Sequence, residues 1–166
     1  MKNQTVSGRV FPYGNNIDTD QIYPGRFVEL TDIADVIKHT LEGADPNFVK
    51  EFEAGDIVVG GTNFGCGSSR EHAAICLKNI GVAAVIADSF ARIFYRNGIN
   101  LGLPLIVCPG LTEKVKKGDK ISLDIQTGEI RTDSGELLGT AEPVSEYSMN
   151  ILNHGGIKEM LKEQFK

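Results

Sequence analysis

The fold is decided by residues 56–87, which read DIVVGGTNFGCGSSREHAAICLKNIGVAAVIA. Residues 56–61 and residues 82–87 are short, mainly apolar runs, a pattern typical of strands that are buried on both faces. Between them, apolar residues recur at i, i+3, i+4 and i+7, which predicts a helix that packs one face on the sheet and ends at Gly81. The residues of this stripe are Ala73, Cys76, Leu77 and Ile80. The stretch therefore predicts a strand, a helix and a second, parallel strand.

The same alternation continues on both sides of this unit. Asp88 and Ser89 are cap-type residues in front of a second apolar pattern, and Asn97-Gly98 stops that pattern, so a second helix is expected between them. Residues 105–107 and residues 8–11 predict two more strands. The apolar positions of the second helix are Phe90, Ile93 and Phe94. We therefore expect an α/β core across residues 56–107.

The C-terminal third follows other periods. Residues 119–125 alternate with period two and lead through a Thr-Gly turn into residues 129–132, which predicts a solvent-facing β-hairpin. Residues 155–166 predict a terminal amphipathic helix. The apolar face of this helix is expected to hold Ile157, Met160, Leu161 and Phe165. Because no linker interrupts the chain, residues 1–166 are expected to form a single domain.

Composition excludes several classes of function. The chain has 166 residues, 17 Lys+Arg and 22 Asp+Glu, and so a formal net charge of −5, which argues against nucleic acid as a main partner. Its longest apolar run is far too short to cross a bilayer, and its first residues show no secretory pattern. Three cysteines without a Cys-x-x-Cys pair make neither a disulfide framework nor an iron–sulfur site. A cytoplasmic protein with no metal of its own is expected.

The chemistry is concentrated between the first predicted strand of the core and its helix, where loops of α/β sheets hold ligands. Gly65 and Gly67 remove side chains in front of a helix start, so that an anion can approach backbone amides there. Arg70 adds a planar fork that suits a carboxylate. Ser68, beside these donors, could act as a nucleophile or, when ionised, as a base. A small acid is therefore the favoured ligand.

A second interpretation of the same residues stays open. Ser68 and Glu71 satisfy the S-x-x-E capping box, so the segment also fits a plain helix start in which the Ser68 oxygen accepts a first-turn amide. The three histidines are scattered, which leaves no catalytic triad, and Cys66 is expected to be an inert thiol. If chemistry occurs here, this chain holds about half of the groups that it needs.

Three blocks of the sequence, in order, resemble the small subunits of 3-isopropylmalate dehydratase, which are similar to the mobile fourth domain of aconitase. The most specific block covers residues 63–73, the second covers residues 89–94 with Asn97, and the third covers residues 18–22 with residues 24–26. The resemblance extends over most of the chain. It implies a swivelling β/β/α domain that closes over an active site carried mainly by a separate large subunit with a [4Fe-4S] cluster.

The resemblance also implies roles for individual residues. Ser68 matches the serine that takes the carbon-bound proton, and Arg70 with Ser69 and Gly67 would hold a substrate carboxylate. Asp20 and Arg26 fall where the family places active-site contacts. In the family, the open iron of the cluster acts as a Lewis acid on the substrate. The implied partners are the large subunit and a small di-acid, with no cofactor bound by this chain itself.

Substrate choice in the family lies largely in the segment that here contains Phe27, Val28 and Glu29. Val28 is apolar and Glu29 would repel a third carboxylate, which favours a substrate with an isopropyl side chain. The resemblance therefore implies a hydro-lyase that isomerises 2- and 3-isopropylmalate in leucine biosynthesis. Homoaconitase, dimethylmalate or methylmalate dehydratase, and a non-catalytic carboxylate-binding module of the same fold are the alternatives.

Overall fold

Residues 5–165 are described by a computed structural model, in which seven strands form one sheet with the order β4-β3-β2-β1-β5-β6-β7. The strands are β1 Thr5–Pro12, β2 Ile57–Gly60, β3 Ala84–Ala87, β4 Leu105–Val107, β5 Lys120–Asp124, β6 Glu129–Thr132 and β7 Leu137–Thr140. The helices are α1 Thr19–Ile22, α2 Ile33–Val36, α3 Phe48–Glu51, α4 His72–Ile80, α5 Arg92–Asn100, α6 Glu146–Asn153 and α7 Ile157–Gln164. Three short 3₁₀ segments add Gly25–Phe27, Ile37–His39 and Leu111–Glu113.

The strands β1 to β4 form the parallel half of the sheet. Val10 of β1 is opposite Ile57 of β2, Ile57 is opposite Ala84 of β3, and Val85 is opposite Leu105 of β4. Every residue of β2 and β3 is buried, as continuous apolar strands require when both faces of a sheet are covered. The predicted α/β fold is confirmed.

The antiparallel half consists of β5, β6 and β7 beside β1. β5 and β6 form the predicted hairpin, but Ile121, Leu123 and Ile130 are each at most 2% exposed, so its description as solvent-facing was wrong for one of its faces. That face closes a core, because period-two alternation gives each strand one apolar side. The third strand, β7, was not predicted.

The sheet separates two hydrophobic clusters. Alternate residues of β1 and β2 enter opposite clusters, as Val10 and Phe11 illustrate. One cluster lies under the helices and contains most of the aromatic side chains, and the other lies on the face that the antiparallel strands share. Each fully buried aliphatic or aromatic side chain contributes about 1.5–3 kcal/mol. The helix-covered cluster underlies the loops that carry the predicted chemistry.

Helix α4 agrees closely with its prediction, whereas α5 does not. In α4, Ala73, Cys76 and Leu77 are buried and the helix ends at Gly81 in the left-handed region. Helix α5 begins at Arg92, two residues after the first expected apolar position Phe90, and continues past Asn97-Gly98 to Asn100.

The expected caps of α5 have other partners. The Asp88 carboxylate accepts the Gly110 N–H at 3.0 Å, and the Ser89 hydroxyl accepts the Asn63 N–H at 2.8 Å. Because these side chains bind distant loops, neither caps the helix, and its N-cap residue Ala91 has no side-chain cap. The cap assignment was therefore wrong.

The C-terminal helices differ in a similar way from expectation. In α7, Met160 is buried, but Leu161 is 42% exposed and Phe165 is 83% exposed, so the predicted apolar face is only partly covered. Lys166, the last residue of the predicted helix, lies outside the described residues. Helix α6 was not predicted, although the Ser145 side chain accepts the Ser148 N–H at its start. Among residues 5–165, no helix combines the length and the apolar character needed to span a membrane.

Candidate active site

Three loops meet at one edge of the parallel half-sheet. Pro12 at the end of β1 is opposite Val59, and Gly60 at the end of β2 is opposite Ala87 at the end of β3. The chain therefore leaves β1, β2 and β3 at neighbouring points. Residues 61–71, which follow β2, are called the Ser68 loop here. Carboxyl ends of parallel strands are the usual ligand-binding edge of an open α/β sheet.

Backbone hydrogen bonds hold the Ser68 loop between its two neighbours. The Gly65 N–H donates to Ile17 O at 2.7 Å, and the Thr19 N–H donates to Cys66 O at 2.8 Å. On the other side, the Phe64 N–H donates to Ser89 O at 3.0 Å. These bonds extend strand-like pairing beyond the regular sheet, so the loop has a defined path up to Ser68.

Two glycines make this path possible. Gly65 has φ +86°, and a Cβ at that position would overlap the Phe94 ring. Gly67 has φ +103°, and a Cβ there would lie 3.2 Å from Thr19 Oγ1. Any other residue would be strained by the positive φ and, at Gly65, would also displace a buried aromatic ring.

Ser68 is exposed, and its Oγ lies 3.1 Å from Thr19 Oγ1. Helix α4 starts at His72, and its N-cap residue Glu71 has no side-chain cap hydrogen bond. The predicted Ser68–Glu71 capping box is therefore wrong, because the Ser68 hydroxyl turns toward α1 rather than toward the first amides of α4. Its oxygen is not committed to the helix.

Arg70 and Asp20 are brought together. Arg70 Nη1 donates to Tyr23 O at 3.1 Å and lies 3.5 Å from Asp20 Oδ1. Asp20 Oδ1 also accepts the Gly25 N–H at 2.7 Å. Because Arg70 keeps 21% of its side chain exposed, part of the guanidinium remains open to an anion. Ser69 and Gly67, also predicted to bind substrate, are exposed beside it.

Residues 23–42, called the Arg26 loop here, carry the other predicted site residues. Arg26 Nη2 pairs with Glu42 Oε2 at 3.0 Å, and Arg26 Cζ lies 4.7 Å from the Phe27 ring centroid. The Phe27 ring stacks on His39 at 3.5 Å, so this side chain is held within the loop. Val28 and Glu29 are exposed at the turn that follows. The contacts of Arg26 are therefore with Glu42 and Phe27 rather than with Arg70 or Ser68.

Two groups near the site were missed by sequence reasoning. Thr19 contacts Ser68, and the Tyr23 ring stacks on His72 at 5.0 Å between centroids. A signal for the first existed: Asp18 and Gln21 form a capping box, with Asp18 Oδ1 accepting the Gln21 N–H at 2.8 Å. That signal could place a helix at Thr19. It could not show which loop the helix faces.

The cysteines do not converge. Cys76 is fully buried, and burial raises the pKa of its thiol to about 12; burial also raises the pKa of Cys108. Cys66 is half-buried in the Ser68 loop. Within residues 5–165, no group of three or more His, Cys, Asp or Glu side chains lies together as metal ligands would. The donor set of an iron–sulfur cluster does not fit the described part of this chain.

Comparisons with known proteins identify relatives of this chain. Residues 49–109 match the aconitase C-terminal domain. The chain is 50% identical to the isopropylmalate/citramalate isomerase small subunit of Methanocaldococcus jannaschii over 96% of this chain and 95% of that protein. It is 49% identical to 3-isopropylmalate dehydratase small subunit 1 of Methanopyrus kandleri, over 96% and 94% of the two chains. It is 45% identical to the methanogen homoaconitase small subunit of Methanothermobacter thermautotrophicus, over 92% and 88%.

A solved structure shows the same fold. The crystal structure of 3-isopropylmalate dehydratase from Methanocaldococcus jannaschii superposes with a TM-score of 0.91 at 41% identity, covering 97% of this chain and 95% of the other. Fold and site thus define an α/β swivel domain of the aconitase C-terminal type. The chain belongs to the family of 3-isopropylmalate dehydratase small subunits, in which it is a subunit of an aconitase-family hydro-lyase.

Proposed function

We propose that the chain is the small subunit of a 3-isopropylmalate dehydratase, which interconverts 2- and 3-isopropylmalate in leucine biosynthesis together with a large subunit. The observation that carries the proposal is the position of Ser68. Its hydroxyl is exposed, does not cap α4, and lies two residues along the chain from Arg70, whose side chain is partly exposed. A proton acceptor and a carboxylate receptor then lie side by side on one loop. High identity along the whole chain to small subunits of such enzymes supports the same conclusion.

In this proposal Ser68 is the base. Dehydration removes a proton from one carbon and hydroxide from its neighbour, and the electron pair of the broken C–H bond becomes the double bond. The hydroxide would leave with the help of the Lewis acid that the partner's cluster would supply. The ionised Ser68 oxygen takes the carbon-bound proton and returns it on rehydration at the alternative position. An ionised serine needs nearby donors to be stable near neutral pH. Its exposure in the isolated chain leaves it open to a substrate held by the partner.

Arg70 is proposed to bind a substrate carboxylate, with Ser69 and the amide of Gly67 beside it. A guanidinium holds a carboxylate through two parallel hydrogen bonds, which also fixes the orientation of the substrate. Asp20, expected to contact substrate, fits better as the group that orients Arg70, because two carboxylates repel each other. The Tyr23 carbonyl supports the same guanidinium from the buried side.

The cluster that the family implies is proposed to lie in the large subunit. The described residues do not fit its ligand set, so this chain contributes a hydroxyl, a guanidinium and backbone amides. Residues 1–166 are proposed to act as one swivel domain that closes over the partner. All three cysteines are free, which suits the reducing cytoplasm that we propose as its location.

The substrate is inferred from the tip of the Arg26 loop. Val28 is 39% exposed and apolar, and Glu29 beside it is also exposed. An apolar side chain would contact an isopropyl group, whereas Glu29 would repel a third carboxylate. Arg26 could attract such a carboxylate, but its Nη2 is already paired with Glu42 Oε2 at 3.0 Å. The loop therefore favours isopropylmalate over the homoaconitase substrate.

The test is an anaerobic assay of this chain assembled with a candidate large subunit. The kcat/KM for interconversion of 2- and 3-isopropylmalate should be higher than the kcat/KM for dehydration of citramalate or of homocitrate. A preference for the tricarboxylate would contradict our interpretation of Val28 and Glu29. A preference for citramalate would contradict isopropylmalate as the main substrate and would favour citramalate in its place. As a control, each subunit alone should be inactive, and iron and sulfide analysis should find the cluster only in the large subunit.

A further inference from the structure

Thr19 has an unusual position for a polar side chain. It is only 3% exposed, and buried hydroxyl groups nearly always have a hydrogen-bond partner. Its described side-chain partner is Ser68 Oγ, 49 residues away in the sequence. A buried, rigid hydroxyl thus meets an exposed one that faces solvent.

The backbone around Thr19 fixes this geometry. The Thr19 N–H donates to Cys66 O at 2.8 Å, and Thr19 O accepts the Tyr23 N–H at 2.8 Å. Gly67 approaches Thr19 Oγ1 so closely that an added Cβ would be 3.2 Å away. Thr19 therefore contacts three consecutive residues of the Ser68 loop. A threonine held in this way loses little further freedom when its hydroxyl forms a hydrogen bond.

We propose that Thr19 is a positioning residue for the base, donating its hydroxyl proton to Ser68 Oγ when Ser68 is ionised. The inference rests on the proposed function of Ser68. An ionised oxygen can only accept, so the Thr19 O–H must then be the donor, and its own proton stays on Thr19 throughout. Such charge-assisted bonds are stronger than neutral ones and favour the ionised partner. When Ser68 has taken the substrate proton, the pair becomes an ordinary bond between two hydroxyls.

The two carboxylates that flank Thr19 in the sequence have other partners. The titratable groups on the two segments that carry the Thr19–Ser68 pair are Asp18, Asp20, Cys66, Arg70 and Glu71. Asp18 caps α1, and Asp20 lies against Arg70 and the Gly25 amide. Among the described residues, Thr19 is the side chain whose hydrogen bond reaches Ser68 Oγ. It is the neutral donor that the base requires.

The test compares Thr19→Val, Thr19→Ala and Thr19→Ser with the wild type in the assembled complex, across pH. Loss of the hydroxyl should lower kcat about 10- to 100-fold, the worth of one charge-assisted hydrogen bond. KM should change less than about twofold, because the hydroxyl does not touch substrate. The rising limb of the kcat profile should move about one to two units to higher pH, since the ionised base loses its donor. Thr19→Ser should restore both kcat and the profile.

A matched control is present in the antiparallel half. Thr132 Oγ1 and Ser134 Oγ form a similar hydroxyl pair at 2.9 Å, and Thr132→Val should leave kcat and its pH profile unchanged. A wild-type profile in Thr19→Val, beside an inactive Ser68→Ala, would overturn the role of Thr19 and leave the proposed function intact. A low kcat with an unshifted pH profile, or no recovery of activity in Thr19→Ser, would mean that Thr19 acts only through packing. Either result would also overturn its proposed role as a hydrogen-bond donor to Ser68. If the valine variant fails to assemble, Thr19→Ala decides, because alanine removes the hydroxyl without adding volume.

Discussion

The Ser68 loop and the Arg26 loop both contain residues expected at the active site, yet they are held by different kinds of contact. The Ser68 loop is paired through backbone hydrogen bonds to the loops after β1 and β3. The Arg26 loop has backbone hydrogen bonds within its own turns and to flanking residues such as Ile22. Its turns are linked to one another by side chains, including the Phe27–His39 stack, the Arg26–Glu42 ion pair and the Tyr23 hydroxyl on Phe27 O at 2.7 Å.

We propose that this difference separates the catalytic chemistry from substrate selectivity. Backbone pairing fixes the path of the loop that leads to Ser68 and Arg70, as an invariable reaction step requires, and Thr19 and Asp20 then contact their side chains. Side-chain support leaves Val28 and Glu29 exposed at a tip whose residues can change without altering the fold. Relatives 45–50% identical to this chain are named for isopropylmalate, citramalate and homoaconitate reactions, which is consistent with a constant loop beside a variable one.

The largest effect is expected at Ser68. Ser68→Ala should reduce kcat by about 10³-fold or more, because general base catalysis typically contributes 10²- to 10⁴-fold. Ser68 does not cap α4, but it is the partner of the buried Thr19 hydroxyl, so the free energy of unfolding should fall by at most about 1–3 kcal/mol. Steady-state kinetics of the complex and urea unfolding of the chain measure the two quantities.

Ser134→Ala, at the other hydroxyl pair, is the control for the loss of an exposed serine and should be fully active. Substantial turnover by a well-assembled Ser68→Ala complex would refute the assignment of the base. It would also remove the contrast between the two loops.

A smaller effect, on KM, is expected from substitutions of Arg70 and Arg26. Arg70→Lys should raise KM about 10- to 100-fold, because lysine cannot reproduce a two-point contact with a carboxylate. Arg26→Lys should change KM less than about threefold, since lysine at this exposed position can still pair with the Glu42 carboxylate. Initial rates over a range of isopropylmalate concentrations give both KM values. Equal effects of the two substitutions would show that Arg26 also binds substrate.

Because the Ser68 loop is held by its backbone, a substitution that disturbs its backbone path should lower the stability of the whole chain. Gly65→Ala should destabilise the chain by about 2–4 kcal/mol, because alanine is strained at φ +86° and overlaps Phe94. Gly14→Ala is the control, since a Cβ there meets nothing within 4 Å. Urea unfolding should show a lower midpoint for the first variant only. Similar midpoints would indicate that the loop tolerates a shifted path.

The smallest effect is expected at the surface of the Arg26 loop. Glu42→Gln removes the ion pair to Arg26, whose side chain is 70% exposed, and should cost at most about 1 kcal/mol of unfolding free energy. The difference should shrink in high salt, because exposed pairs are screened. A loss that is larger and independent of salt would mean that this loop is as firmly built as the Ser68 loop.

Local patterns in the sequence predicted much of this molecule. The apolar runs of β2, β3 and β4 were found because strands buried on both faces need few polar residues. Helix α4 was predicted correctly because its apolar stripe and its terminal Gly81 are local features of the sequence. The caps of α5 were misplaced because Asp88 and Ser89 hydrogen-bond to Gly110 and Asn63 instead.

The sequence by itself determined that the residues proposed to carry the chemistry, Gly65, Gly67, Ser68 and Arg70, are neighbours on one short segment. Only the tertiary structure decided how they are used. It placed Thr19 on Ser68, Asp20 on Arg70 and Glu42 on Arg26. These pairings join segments 16 to 50 residues apart. All three pairings depend on how the chain packs. The two that involve the Ser68 loop also depend on β1 lying beside β2, and no local sequence pattern contains that information.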